Sequence, residues 1–386
     1  MNLAFVLFDY FAFGGLQRDC LKIAATCARR GHAITIFTRT WQGEKPDEIK
    51  VELLGRKGFT NISRNRHFLE QIEQLLPGKG IAGVVGFNRL PGLDVYFNAD
   101  SCYVARMARL KPAFYRWLPR YKHFAALERA VFAPRGKTRI LLLTPREIPF
   151  YQQFYGTESN RFSVLPPGIT RRLTSEEQRI ARRYSIRQRH GWGESSNLLA
   201  FVGSGFRTKG LDRAIRGLAS LDRRRFGQSR LVVIGQNSPG RFALLARQLG
   251  VADRVHFLGG RHDVPDFLLA SDLLVHPAYA ENTGTVLLEA MVSGLPVLTT
   301  DVCGYAFHIQ KANAGYVLPS PFVQAAFNAT LAEILTSDKS AAWRANGLAY
   351  AAREDLYSCH ERAADIIEAA ARQKQSNLQT SAGRES

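Results

Sequence analysis

Short runs of β-branched and aromatic residues, separated by longer segments of helical periodicity, recur in two series along this chain. That alternation restricts the fold more than any other feature. The first series is NLAFVLF, AITIFT, VELL, AGVVGF, DVYFNA and TRILLLT, with helical patterns between several runs, notably over 16–30 and 64–76. The second is NLLAFVGSG, a helix over 209–220, RLVVIG, a helix over 241–249, RVHFLG, a helix over 264–270, DLLVHPA, a helix over 283–293, and LPVLTT. Strand and helix taking turns in this way predicts parallel sheets covered by helices. Pro166-Pro167-Gly168 interrupts any regular element, and a basic stretch over 171–190 leads into the second series. The expected architecture is α/β with two Rossmann-like domains, 1–167 and 168–355. At 386 residues and 46% hydrophobic content the chain is long enough for two such cores. Residues 374–386 are polar and unperiodic and are predicted to be a disordered tail.

The first run ends in Gly14-Gly15 and passes directly into a helix. A strand, a glycine turn and a helix N-terminus together present backbone N–H groups and the positive end of a helix dipole, which suits an anion. The G-x-G-x-x-G fingerprint is absent and Gly-Gly is also ordinary turn chemistry, so the turn alone leaves both meanings open. The second half holds a sharper constellation. Glu281 precedes a predicted helix and Glu289 lies two turns into it, with Asn282-Thr283-Gly284-Thr285 as the helix start between them. The start can hold a phosphate while each carboxylate accepts hydrogen bonds from sugar hydroxyls. A capped helix with a solvated glutamate at each end would have the same spacing. Arg207 and Lys209 follow the strand AFVGSG, at the edge where open α/β sheets bind ligands, and would stabilise charge on a departing diphosphate.

Fifty-two Lys and Arg against 33 acidic residues give a formal charge of +19, which favours an anionic partner: nucleic acid, phosphorylated substrate or acidic lipid. The five cysteines are scattered and form no C-x-x-C pair, which argues against a disulfide framework or zinc site and favours a reducing compartment. No long apolar stretch predicts a membrane span, and the first apolar run lacks the basic flank of a signal sequence. Residues 103–132 carry seven Lys and Arg against one Glu, interleaved with Phe114, Tyr115, Trp117, Tyr121 and Phe124. Such a segment suits an anionic bilayer surface, and an ordinary helix pair with solvated charges is the alternative.

The run ENTGTVLLE resembles the E-x7-E pattern of retaining GT-B glycosyltransferases of family 4. FGGLQRD, GFNRLPGLDVYF, LPPGI, SGFRTKGLDR, LLVHPAY and GLPVLTTDVCGYA are similar to the lipopolysaccharide core glucosyltransferases within it. The resemblance implies a GT-B fold, two Rossmann-like domains facing across a cleft, with a C-terminal helix over about 356–373 returning to the first. It implies transfer of glucose from UDP-glucose to the second heptose of the lipopolysaccharide inner core, at the cytoplasmic face of the inner membrane, with residues 103–132 on the anionic surface. Gly15 would approach the diphosphate with Asp19 behind it. Arg207, Lys209 and either Arg171 or Arg172 would hold the phosphates. Glu281 would bind the transferred sugar, Glu289 the ribose, and Thr283, Gly284, Thr285 and Val286 would supply amides between them. No D-x-D sequence is present, so the expectation is activity with no metal and no cofactor. Asp100, at a strand end, is a candidate to orient or deprotonate the acceptor hydroxyl, alongside Glu281 and Lys209 as catalytic candidates; a cap or turn role suits a strand-end Asp as well. A family 4 transferase with another nucleotide sugar is the nearer alternative. A basic nucleic-acid-binding protein is the more distant one, disfavoured because no recognised RNA or DNA motif is present.

Overall fold

Two separate parallel sheets organise the computed structural model, which describes residues 1–11, 14–171 and 175–382. The first contains β1 (Asn2–Tyr10), β2 (Ala33–Trp41), β3 (Lys50–Leu53), β4 (Gly83–Gly86), β5 (Val95–Asn98), β6 (Arg139–Leu142) and β7 (Phe162–Val164), in the order β3-β2-β1-β4-β5-β6-β7. The second contains β8 (Leu198–Val202), β9 (Arg230–Ile234), β10 (Val255–Phe257), β11 (Leu273–His276), β12 (Val297–Thr300) and β13 (Gly315–Leu318), in the order β10-β9-β8-β11-β12-β13. Each order reverses beside the sheet's first strand, β1 lying between β2 and β4 and β8 between β9 and β11. Chain leaving these strands at their C-terminal ends diverges to opposite faces, and the crevice so formed is where such sheets take ligands.

Both sheets are covered on both faces, which is why their strands read as unbroken apolar runs. Leu3 to Leu7 and Leu198 to Phe201 are all buried. The chain divides into two compact units, Met1–Gly168 with the chain from Ser358 onward, and Ile169–Tyr357. In the first, the helices Gly15–Arg29 and Cys359–Ala382 pack one sheet face through Cys20, Ile23, Ala364 and Ile367. The opposite face is packed by Asn61–Leu75, Pro119–Phe132 and Ile148–Tyr155.

Several boundaries differ from expectation. The helix expected over 64–76 starts at Asn61, because Thr60 and Ser63 close a reciprocal capping box ahead of it. Strands β7 and β13 and the helices Glu176–Arg189, Ala306–Ala312, Gln324–Ile334 and Ser340–Arg353 were absent from the sequence reading. Over residues 374–382 the expected disordered tail is corrected by the last helix, which continues through Ala382, and residues 383–386 lie outside the described residues. Lys374 pairs with Asp94 at 2.8 Å, which ties this polar stretch to the rest of the unit, and the hydroxyls of Ser376 and Thr380 donate one turn back to the carbonyls of Arg372 and Ser376. The same helix is fastened at its start, where His360 Nε2 lies 3.1 Å from Asp19 Oδ1 and Arg30 reaches Glu361, Asp365 and Glu368.

Candidate active site

Lys209 follows β8 and Glu281 follows β11, so the order reversal of the second sheet places the two loops side by side, and the two side chains form an ion pair there. Gly203, at φ +131°, leaves the lane along which the lysine stem runs; an added Cβ would sit 2.8 Å from Lys209 Cε. Beneath them lies His276, fully buried at the end of β11, its Nε2 3.6 Å from Glu281 Oε2 and neither ring nitrogen within hydrogen-bond reach of a partner. Burial on its own would raise the Glu281 carboxyl, but the contact with His276 and the charge of Lys209 outweigh it and draw the group down to about 2. Burial pushes the His276 imidazole down, with Lys209 adding to that and Glu281 opposing it. At neutral pH the cluster is therefore a carboxylate and an ammonium above a neutral imidazole.

The helix expected to begin at Thr283 begins at Thr285, with Gly284 at φ +81° as its cap. Thr283 is held outside it, its carbonyl accepting from Tyr305 N at 2.7 Å, and Glu281 forms a parallel bridge with Cys303. Gly304 makes this approach possible, since a Cβ there would meet Asn282 O at 1.8 Å. Thr285 and Val286 thus occupy the first two helical positions, whose N–H groups have no partner inside a helix. Glu289, half-buried, lies one turn further on. Cys303 is buried and its thiol is raised to about 11, chiefly by burial, so it supplies no thiolate here. Arg207, by contrast, is exposed, and among the described residues its guanidinium has no hydrogen bond or ion pair.

A second set of contacts fixes the two loops to each other. Tyr279 N donates to Thr208 O at 2.8 Å, and Gly210, at φ +78°, comes so close to Pro277 that a Cβ would lie 2.0 Å from its carbonyl oxygen. Arg213 donates to the carbonyls of Pro277 and Ala278 at 3.1 and 2.9 Å, its guanidinium between the rings of Tyr279 and Phe322 at 3.5 and 3.7 Å. A planar guanidinium suits that slot in a way an ammonium does not.

In the first unit, Gly14 caps the helix that Gly15 opens. The crowded glycine is Gly14, where a Cβ would meet Gln17 Oε1 at 1.8 Å; at Gly15 no described atom lies within 4 Å of that position. Asp19 is held by His360, as above. Asp100 is exposed and follows β5; Tyr151 OH donates to its carbonyl at 3.2 Å, and Arg89 donates to Ser101 O at 2.7 Å. Arg89 is in turn paired at 3.0 Å with Glu128, which is fully buried and accepts from the amides of Tyr103 and Val104 at 2.7 and 3.0 Å and from Tyr155 OH at 2.7 Å. Arg172 lies outside the described residues; Arg171 rests over the Tyr357 ring at 5.1 Å. Among the described residues no group of three or more His, Cys, Asp or Glu side chains is placed to hold a metal ion.

Residues 183–350 match the family described as glycosyl transferases group 1. Over 368 residues, 95% of this chain and 98% of its relative, the sequence is 46% identical to the lipopolysaccharide glucosyltransferase WaaG of Escherichia coli strain K12. The chain belongs to the group 1 glycosyltransferases. The crystal structure of WaaG, described as a glycosyltransferase involved in lipopolysaccharide biosynthesis, superposes with a TM-score of 0.91, covering 95% of this chain and 99% of that one. Anabaena HepE in complex with UDP-glucose shares the fold, with a TM-score of 0.73 at 18% identity over 96% of this chain and 100% of that one.

For this group 1 transferase, the sequence reading had singled out Lys209 and Glu281 but not the groups that position them. His276 stood unremarked in LLVHPAY, Arg213 in TKGLDRAI and Arg89 in GFNRLPG. A histidine closing an apolar strand immediately before proline, five positions ahead of a candidate carboxylate, was the available signal for the first. Arg213 had none, because its aromatic partners come from two distant segments.

Proposed function

We propose that this transferase moves glucose from UDP-glucose to the second heptose of the lipopolysaccharide inner core, with retention and without a metal ion. The observation that carries the reading is the Lys209–Glu281 pair at the order reversal of the second sheet, beside the helix start at Thr285 and Val286. A sugar diphosphate has the matching chemistry: anionic oxygens for Lys209, Arg207, Arg172 or its neighbour Arg171 and the helix amides, and hydroxyls for a carboxylate held ionised. Glu281 takes the sugar hydroxyls and Glu289 the ribose; Gly15 gives the diphosphate room, and Asp19 stands behind that turn. As the glucose C1–O bond to the diphosphate breaks, the acceptor oxygen bonds C1 from the same face and its proton passes to the departing phosphate oxygen. The protein aligns the partners and stabilises the developing charge. Asp100 orients the acceptor hydroxyl. The 46% identity to a protein named as a lipopolysaccharide glucosyltransferase supports glucose and this acceptor class over another nucleotide sugar.

Transfer of labelled glucose from UDP-glucose to core lipopolysaccharide lacking its outer sugars is expected in the presence of a chelator, with other UDP-sugars inert. Transfer only on addition of a divalent cation would sink metal independence, and transfer from a different UDP-sugar would sink the donor. Glu289→Ala is expected to weaken UDP-glucose binding by about 1–3 kcal/mol if its carboxylate accepts ribose hydroxyls. Unchanged affinity in titration calorimetry would remove that role.

The acceptor is a lipid, and residues 103–132 are the segment we assign to the cytoplasmic surface of the anionic inner membrane. Phe114 and Trp117 are 65% and 75% exposed among the exposed cations Lys111, Arg116 and Arg120. No helix among the described residues is long and apolar enough to cross a membrane. Aromatic rings with snorkelling cations suit attachment at the interface.

A further inference from the structure

Far from residues 103–132 in sequence, the loop before the helix Asn61–Leu75 presents Phe59 fully exposed. It is not a loose side chain. On one side Gly58, at φ +109°, has its carbonyl held by Arg64 Nε at 2.9 Å, and on the other Thr60 is locked in the capping box with Ser63. The ring is therefore held out in water between two fixed backbone points. From Leu53 to Leu69 the sequence carries Arg56, Lys57, Arg64 and Arg66 and no acidic residue.

The position of this loop within its unit is set by a helix pair. Asn65 Nδ2 meets His123 Nε2 at 3.3 Å, and these are the fifth residues of the helices Asn61–Leu75 and Pro119–Phe132. Each helix start is about 6 Å of axis from that contact, so at any crossing angle the two starts lie within roughly 25 Å of each other. Phe59 stands two residues before one start and Trp117 two residues before the other. Two exposed aromatics, each with cations nearby in the sequence, thus lie in one region of the unit although 58 positions separate them in the chain.

We infer that the loop 55–60 is a second insertion point into the same anionic bilayer, so that the unit rests on the membrane through two prongs, Phe59 and the Phe114–Trp117 turn. The inference rests on the membrane reading of residues 103–132 above. One prong fixes attachment but leaves the unit free to pivot; two restrict tilting to rotation about the line joining them, which narrows the orientations of the parallel sheet whose C-terminal edge carries the loops after β3 and β5, and hence Asp100, relative to a lipid-borne acceptor. A bilayer is favoured over nucleic acid because the exposed groups are one aromatic per prong set among point charges, without the stacked series of rings that single strands require.

The test is co-sedimentation of the full chain with vesicles of phosphatidylethanolamine containing about one-third phosphatidylglycerol, against vesicles of phosphatidylcholine alone. Phe59→Ser, R56Q/K57Q and F114S/W117S are compared singly and combined. Since the Phe59 ring is wholly exposed, its removal leaves thermal stability and UDP binding unchanged. It is expected to weaken partition onto the anionic vesicles about tenfold, multiplying with the loss from F114S/W117S. If Phe59→Ser partitions as the parent does while F114S/W117S falls, the second prong is overturned and the first stands. If neither variant changes partition, both fall. If the parent ignores both vesicles and binds a single-stranded oligonucleotide in a Phe59-dependent way, the partner is nucleic acid and the inference is overturned.

Discussion

Replacing Glu281 with alanine should reduce transfer by about 10²- to 10³-fold while leaving the affinity for UDP itself unchanged or raised. The two halves of this expectation come from the same ion pair. A carboxylate that accepts sugar hydroxyl hydrogen bonds which strengthen as charge develops at C1 contributes in the range found for a preorganised electrostatic group. UDP has no transferred sugar, so it loses nothing with the carboxylate. It gains access to Lys209, whose ammonium is otherwise paired with Glu281. Glu281→Gln separates the contributions further, since an amide keeps one acceptor but no charge. The measurement is steady-state transfer at saturating acceptor together with titration of UDP. Activity within threefold of the parent in Glu281→Ala would remove Glu281 from the reaction; a fall in UDP affinity equal to the fall in transfer would make it a structural support for the loop. His276 bears on the same test. Because burial and Lys209 hold it neutral, it lies beneath the carboxylate, Nε2 3.6 Å from Glu281 Oε2, without competing with Lys209 for negative charge.

The two sheets were legible because strands buried on both faces leave continuous apolar runs, and parallel pairing needs a crossover, which in most of these connections contains a helix. The candidate loops were legible for a related reason: glycine and charge at the end of such a run are visible without knowing which strands are neighbours. What could not be read locally is what depends on neighbours. Lys209 and Glu281 are 72 positions apart, and only the order β9-β8-β11-β12 brings them into contact. The expected helix start at Thr283 was two residues early, because residues 281–283 are captured by the segment around Cys303 and Tyr305 instead of by the helix they precede. The assignment of a disordered tail failed over residues 374–382 for the opposite reason: their composition is polar, but continuation of an already nucleated helix adds one hydrogen bond per residue fixed and needs little burial.

Glu128→Ala should destabilise the first unit by about 3–5 kcal/mol, the range expected when one member of a buried ion pair is removed. Five groups lose an acceptor at once: the Arg89 guanidinium, the amides of Tyr103 and Val104, the Tyr155 hydroxyl and the Cys102 thiol. Burial first and the nearby carboxylate second hold the Tyr155 phenol well above its ordinary range, so it stays protonated and its buried O–H is left without its acceptor. For a unit of this size each kcal/mol corresponds to roughly 2–4 °C, so the unfolding temperature should fall by about 10 °C. Replacing both partners, as R89M/E128L, should recover part of the deficit, because no charge is then left buried without a partner. The network also has a functional side. Arg89 and Tyr151 hold the carbonyls of Ser101 and Asp100, so the double variant should fold yet show a raised KM for acceptor at unchanged donor affinity. Calorimetry of the three proteins with acceptor and donor titrations decides it. Glu128→Ala melting within about 2 °C of the parent would mean that water or an alternative acceptor satisfies the stranded groups, and a double variant with parental acceptor KM would leave the network a purely structural anchor for the helix that begins at Tyr103.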